Sequence, residues 1–180
     1  MKETTKSSKL VYECSFMKLY EDEVILDNHK TTQRVYIKHP GAAAILPVTA
    51  DHKIILVNQF RYPIGFVNVE VPAGKKDDVN EDSLLCAHRE LEEETGYISS
   101  DMSFFKRIYP CVGYSNEYID LFIAKNCIKK ENPKAMDVDE NIECVFFSLD
   151  EVRHLIQTDQ IHDGKTLILL QGYLLSKNNE

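Results

Sequence analysis

The residues best suited to chemistry lie side by side: Arg89, Glu90, Leu91, Glu92, Glu93, Glu94, Thr95 and Gly96. At about 100° per residue on a helix, Glu90 and Glu94 stand about 40° apart, and Glu93 lies about 60° to the other side of Glu90. Leu84, Leu91 and Thr95 fall on a different face, with His88 beside them. Like charges at these spacings repel by roughly a few tenths of a kcal/mol per pair. The C-terminal end of a helix is also the wrong end for anions. Helix stability therefore opposes the arrangement, and a bound divalent cation would favour it. Hard oxygen ligands converging from one helix suit Mg²⁺ or Mn²⁺, which keep several waters and grip a substrate phosphate. A solvated acidic face is the plain alternative. Three features argue against it: a Pro72-Ala73-Gly74 turn ahead of the helix, Arg89 embedded among the acids, and Gly96 where a left-handed C-terminal stop is expected.

Other elements must hold this helix in place. Leu10–Tyr20, Glu23–Leu26 and Gln33–His39 alternate apolar and polar residues as antiparallel strands do. Ala42–Thr49 and Ile54–Phe60 flank Ala50-Asp51-His52-Lys53, a hairpin turn. Val67–Val71 runs as a strand into the Pro-Ala-Gly turn, and Ser103–Tyr109, Tyr118–Ala124 and Glu143–Phe147 read as further strands. Ser148-Leu149-Asp150-Glu151 is a capping box that opens a helix through about Gln157. Leu167, Leu170 and Leu174 place a last helix at about Lys165 to Ser176. Met1–Lys9 and Lys177–Glu180 read as frayed ends. A mixed sheet with flanking helices suits an α/β/α sandwich.

The stretch from Gly74 to Tyr97 resembles the Nudix box, the signature of hydrolases that cleave a nucleoside diphosphate linked to another moiety. The family pattern is Gly, five residues, Glu, seven residues, then Arg-Glu-apolar-x-Glu-Glu-x-Gly-apolar. Here Gly74 and Glu81 are separated by six residues, Lys75–Asn80, one more than the pattern; the remainder fits, from Glu81 to Arg89, Glu90, Leu91, Glu93, Glu94, Gly96 and Tyr97. Loops absorb insertions cheaply, so the extra residue leaves the acidic helix in register. Lys38-His39-Pro40-Gly41-Ala42, Val57-Asn58-Gln59-Phe60-Arg61-Tyr62-Pro63, Glu70-Val71-Pro72-Ala73-Gly74 and Asp163-Gly164-Lys165-Thr166 are similar to ADP-ribose pyrophosphatases. That group usually carries Ser-Pro-Gly-Phe/Tyr after the box. In this chain Gly113, Tyr114 and Glu117 fit, Val112 stands where the Pro belongs, and Pro110 lies two residues earlier.

The resemblance implies a Nudix-type α/β/α sandwich with a mixed sheet, plus a small N-terminal antiparallel sheet. Residues 1–40 would be that appendage and 41–180 the hydrolase domain. It also implies a homodimer in which the N-terminal sheet helps build the partner's substrate site. The implied reaction is metal-dependent hydrolysis of a nucleotide sugar, with ADP-ribose giving AMP and ribose 5-phosphate. GDP-mannose or another nucleotide sugar or dinucleotide is the alternative substrate. A Nudix-like domain that only binds such a ligand, as a regulator, is the alternative of another class; retention of Glu90, Glu93 and Glu94 argues for the enzyme.

Roles follow for particular residues. Glu90 and Glu94, with Glu93 close by, are candidates to hold Mg²⁺ or Mn²⁺, and the resemblance adds the backbone carbonyl of Ala73. Metal ions there would bridge diphosphate oxygens and neutralise charge as a P–O bond breaks. Glu94 is expected to pack against nothing else. Glu140 and Glu93 are the catalytic candidates. Glu140, in the acidic loop Asp137–Glu143, matches the place from which resembling enzymes draw a base. Arg61 and Arg34 are candidate phosphate contacts, because guanidinium forks match phosphate oxygens. Glu70 is placed as a substrate contact or as support for one. Gly74, Glu81, Arg89 and Gly96 are structural within the motif, with Arg89 pointing off the acid face to pair with Glu81 or another carboxylate.

Composition narrows the remaining classes. A chain of 180 residues, 43% hydrophobic, suffices for one domain with a real core. A net charge of −8 argues against general nucleic-acid binding. The five cysteines form no CxxC pair and read as reduced thiols of a cytoplasmic protein. No signal peptide is evident, and no apolar run approaches the roughly 20 residues of a membrane span. The six histidines show no metal-ligand spacing, and no P-loop or Ser-His-Asp arrangement is apparent.

Overall fold

The computed structural model describes residues 2–134 and 141–177. Three strands, β1 (Thr4–Glu13), β2 (Lys18–Ile25) and β3 (Thr31–Lys38), form an antiparallel sheet in the order β1-β2-β3. The second sheet takes β4 (Ala42–Thr49), β5 (Ile54–Arg61), β6 (Phe66–Glu70) and β7 (Ala73–Lys75) before the helix α1 (Ser83–Thr95). After it come β8 (Tyr97–Ile98), β9 (Asp101–Ile108), β10 (Ile119–Lys129) and β11 (Ile142–Phe147), then α2 (Leu149–Gln157) and α3 (Gly164–Lys177). The order across this sheet is β11-β5-β4-β10-β8, with β6 on β5, β7 on β4 and β9 on β10.

β4 explains the layering. Its residues 42–48 are buried on both faces, as expected of a central strand that runs parallel to β10. Ala42, Ala44, Leu46 and Val48 face one side and pack with Val152, Ile161, Leu169, Leu170 and Tyr173 of the α2–α3 layer. Ala43 and Ile45 face the other side and pack with Cys86, Ala87 and Leu91 of α1. The alternation of one strand thus assigns one helical layer to each face, and the mixed α/β sandwich follows.

The hairpin at residues 50–53 joins β4 and β5, but the two strands pair only at Val48↔Ile54 and then part. β6 and β11 take the two sides of β5, while β7 takes β4 through Ala42↔Lys75, Ala43↔Gly74 and Ala44↔Ala73. The opened sheet carries the Pro-Ala-Gly turn against the head of β4, where Ile45 donates its N–H to the Pro72 carbonyl at 3.0 Å.

Two N-terminal expectations are corrected. Residues 4–9 are not frayed, because β1 begins at Thr4 and pairs with β2 as far as Thr4↔Ile25. Leu10–Tyr20 is not one strand: the chain turns between β1 and β2, with Cys14 donating its N–H to Met17 O at 3.0 Å. Every residue of β1 is exposed, so backbone pairing rather than apolar burial defines this strand. The sheet joins the larger body through Ile37, whose N–H donates to Tyr114 O (2.8 Å) and whose carbonyl accepts from Asn116 N (3.1 Å).

Candidate active site

α1 is placed by its ends. Asp82 caps it, accepting from the N–H groups of Leu84 and Leu85 at 2.8 and 3.2 Å, and Gly96 closes it at φ 71° with its N–H on Glu92 O. Leu91, fully buried, pins the helix to the sheet, which turns Glu90 and Glu94 inward toward β7. Both carboxylates are buried. Glu94 accepts the Ala73 N–H at 3.0 Å. The expectation that it packs against nothing is therefore corrected: the anion satisfies a backbone donor at the end of the turn. The Glu90 carboxylate lies on Gly74, where any Cβ would collide with it. Gly74 has no positive φ in this fold; the requirement for glycine is steric.

Arg89 does not point off the acid face. Its Nη1 donates to Glu90 (2.6 Å) and Glu93 (3.2 Å), its Nη2 donates to the Lys75 carbonyl (3.1 Å), and its Nε lies 3.5 Å from Glu81. A long side chain can lie back across its own helical turn, and the joint field of the carboxylates draws it there. The expected pairing with Glu81 is present alongside these contacts. Glu81 in turn accepts the Asp77 N–H at 2.7 Å, which stitches the start of the loop to its end. Beneath them, the Cys86 thiol donates to the carbonyls of Gly74 and Lys75 at 3.8 and 3.6 Å. Burial, helped by Glu81 and Glu90, pushes this thiol up to about 12, so it stays protonated as a donor.

Beside the turn opens a cleft of about 750 Å³, lined by Ala73, Gly74, Lys75, Arg61, Lys165, His39, Phe16, Tyr109 and Pro110 among others. On one side of it Glu70, 3% exposed, binds Arg61 through both oxygens at 2.8 and 2.9 Å. Lys165 reaches the same carboxylate at 2.5 Å and Asp163 at 3.1 Å. Burial alone would raise the pKa of Glu70, but Arg61 and Lys165 outweigh it and hold the group at about 2. Asp163 caps α3 through Thr166, whose hydroxyl accepts the Val71 N–H at 2.9 Å. Arg61 thus faces the cleft while Glu70 fixes its fork. His39 accepts the Gly41 N–H on Nδ1 at 3.1 Å, which leaves its proton on Nε2. Burial lowers its pKa against the pull of Glu117.

The site residues named from sequence divide accordingly. Ala73, Gly74, Glu81, Arg89, Glu90, Glu93 and Glu94 form one cluster, and Arg61 and Glu70 flank the same cleft. Gly96 closes α1. Arg34 is elsewhere in the chain, on β3, bound to Glu3 at 2.7 Å. Glu140 lies outside the described residues. Val112 is 82% exposed, whereas Pro110 lines the cleft. Lys165 had no assigned role; its place beside Arg61 depends on a contact spanning 95 residues, which no local spacing reveals.

Among the described residues no three His, Cys, Asp or Glu side chains already form a metal cage. The chemistry of the donor set fits a hard divalent cation all the same: Glu90 and Glu94 meet the turn, whose glycine admits Glu90 against the backbone, and Glu93 shares Arg89 with Glu90 on the same helix.

The NUDIX domain profile matches residues 38–170. The chain belongs to the NUDIX domain family. It is a Nudix hydrolase, and hydrolases of this family generally need divalent metal ions. An ADP-ribose pyrophosphatase of Bacillus subtilis (strain 168) is 34% identical, over 95% of this chain and 92% of the relative. A protein of Bacillus methanolicus named methanol dehydrogenase activator is 38% identical, over 94% and 91%. A GDP-mannose pyrophosphatase of Escherichia coli (strain K12) is 32% identical, over 83% and 79%. A crystal structure of an ADP compounds hydrolase shares the fold, with TM-score 0.80, 19% identity and coverage of 99% and 96%. Among the described residues no helix is long and apolar enough to cross a membrane.

Proposed function

We propose that this Nudix hydrolase cleaves the diphosphate of a nucleotide sugar, with ADP-ribose as the preferred substrate and AMP and ribose 5-phosphate as products. The observation that carries the reading is the cluster of Glu90, Glu93 and Glu94 around Arg89, beside the Gly74 turn that lines one cleft together with Arg61 and Lys165. Glu90, Glu93, Glu94 and the Ala73 carbonyl would hold Mg²⁺ or Mn²⁺. When bound, the cations supply charge neutralisation for the diphosphate and polarise the attacking water. Arg61, its fork fixed by Glu70, binds a phosphate oxygen and aligns the diphosphate across the cleft. Lys165 adds positive charge on the same side. Glu140 takes the proton from the attacking water as general base. Five free thiols suit a reducing cytoplasm.

A homodimer belongs to this reading. Leu10, Val11, Tyr12 and Val35 stand exposed on the N-terminal sheet, and a second copy would cover them. In that dimer the N-terminal sheet, with Arg34, reaches the partner's substrate. The 38% identity to a methanol dehydrogenase activator favours a second reading, in which the chain activates a dehydrogenase.

The test is phosphate-coupled turnover of ADP-ribose, GDP-mannose, ADP-glucose, NADH and FAD with Mg²⁺ and then Mn²⁺. ADP-ribose should be turned over fastest, and Glu140→Gln should slow that reaction while Mn²⁺ still binds. Preference for GDP-mannose would move the substrate and keep the mechanism. No turnover of any compound by folded protein, together with faster methanol oxidation when it is added to a dehydrogenase, would favour the activator reading.

A further inference from the structure

The loop between Gly74 and α1 is one residue longer than the family pattern, and its apolar residue, Val79, is 68% exposed. Apolar packing of Val79 therefore does not anchor it. Lys76 goes inward instead, with only 6% exposure. Its N–H donates to Gly41 O at 3.0 Å. Its Nζ donates to the Tyr118 hydroxyl at 3.2 Å and to Val79 O at 3.4 Å, so the ammonium folds the longer loop around itself. Burying an ammonium is costly without such partners, so the position is held for a reason.

The partner is rigid. Tyr118 lies flat on Gly41, at φ +99°, where a Cβ would strike the ring. The Arg107 guanidinium sits 4.0 Å from the centre of the same ring and binds Asp120 through two hydrogen bonds of 2.7 Å. Asp120 is 3% exposed and feels both the Ser83 hydroxyl, at the first turn of α1, and the charge of Lys76. The network therefore grips the loop at both ends, Lys76 at its start and Ser83 where the helix begins. Directly before Lys76 lies Lys75, whose carbonyl accepts from Arg89, the residue that spaces Glu90 from Glu93.

We infer that Lys76 is a positioning residue for the metal site: clamped on Tyr118, it accommodates the longer loop and fixes Lys75, and through Lys75 it fixes Arg89 and the two carboxylates. Lys76 touches neither substrate nor metal. Its effect is read in how tightly the cation is held rather than in the chemical step, in the manner of residues that orient ligands from behind. This assignment rests on the metal-dependent reading above.

The experiment compares wild type, Lys76→Met, Tyr118→Phe and the double variant. It measures binding of Mn²⁺ alone by the free-ion electron paramagnetic resonance signal, and amide hydrogen exchange across residues 75–82. Lys76→Met keeps the buried aliphatic stem and loses the ammonium; Tyr118→Phe keeps the ring and loses the hydroxyl. In Lys76→Met, Mn²⁺ binding should weaken roughly tenfold, and exchange should quicken in residues 75–82 with β4 and β10 unchanged. Tyr118→Phe should show a smaller loss in the same direction, and the double variant should be no weaker than Lys76→Met, because the two groups act as one contact. If Lys76→Met does not fold, Tyr118→Phe decides alone. Equal Mn²⁺ affinity in wild type and variants would overturn the assignment and leave the proposed function standing. Faster exchange throughout the sheet would overturn it too, by making Lys76 a stability residue. Wild-type protein that binds no Mn²⁺ would remove the metal reading and this assignment together.

Discussion

Two groups of buried and half-buried carboxylates flank the turn before α1, and they are balanced differently. Glu70 and Asp163 have Arg61 and Lys165 within ion-pair reach, two cations for two anions. On α1, Arg89 is shared among Glu81, Glu90 and Glu93, with the half-exposed Lys134 at 3.8 Å from Glu93. The first group is a closed ion-pair cluster whose product is a fixed guanidinium at the cleft. Among the described residues the second group has more carboxylates than cations, an arrangement that a divalent cation can use. Burial of acids alone therefore does not mark a metal site; among the described residues the local ratio of cations to anions is what distinguishes the ion-pair scaffold from the proposed site.

Exchanging the anions one at a time breaks or sharpens this contrast. The largest effect is expected from Glu94→Gln. The amide oxygen can still accept the Ala73 N–H, so the thermal midpoint should move by only a few degrees, while turnover falls by at least about 100-fold. Near-normal turnover would end the metal assignment of Glu94. Glu70→Gln should do the reverse and act first on stability. It leaves Arg61 and Lys165 without their shared anion, at a cost of roughly 3 kcal/mol, and the midpoint in thermal melts should fall by roughly 10 °C.

The same contrast has a pH signature. The folded pKa of Glu70 is depressed from 4.5 to about 2. Its contribution is therefore fully present above pH 4.5 and is lost as pH falls through about 2. Acid titration of stability should show this loss in wild type and a correspondingly flatter curve in Glu70→Gln. A parallel pair of curves would mean that Glu70 is not the neutralised group the geometry describes. A smaller effect is expected from Gly74→Ala. The new methyl displaces the Glu90 carboxylate, so the half-saturating Mn²⁺ concentration should rise roughly tenfold with the fold retained. The smallest effect should come from Arg34→Ala, which removes a surface pair with Glu3 and should leave the thermal midpoint almost unchanged. A raised KM for ADP-ribose in that variant would place Arg34 at a partner's cleft.

What the sequence made legible was local. The box helix, its Gly96 stop, the turn at residues 50–53 and the Ser148–Glu151 capping box each depend on residues within one or two turns of one another. The structure places all four where the spacing puts them. The first part of β1, residues 4–9, was missed because its register comes from backbone pairing with β2, which leaves no apolar pattern to read there. The direction of Arg89 was misread because a helical wheel shows where a side chain leaves the helix, not where a flexible one ends. The basic side of the cleft and the Lys76–Tyr118 contact were illegible for another reason. They join residues 95 and 42 positions apart, respectively, and only the split between β4 and β5 brings such partners together.

The lock at the end of the chain has a consequence for synthesis. Val71, at the base of the Pro-Ala-Gly turn, donates its N–H to Thr166, and Glu70 waits for Lys165. A nascent chain that has just released the whole box helix still lacks these partners, because α3 comes later in the sequence. The acidic side can form early, but the cleft acquires its second wall only after translation has passed α3.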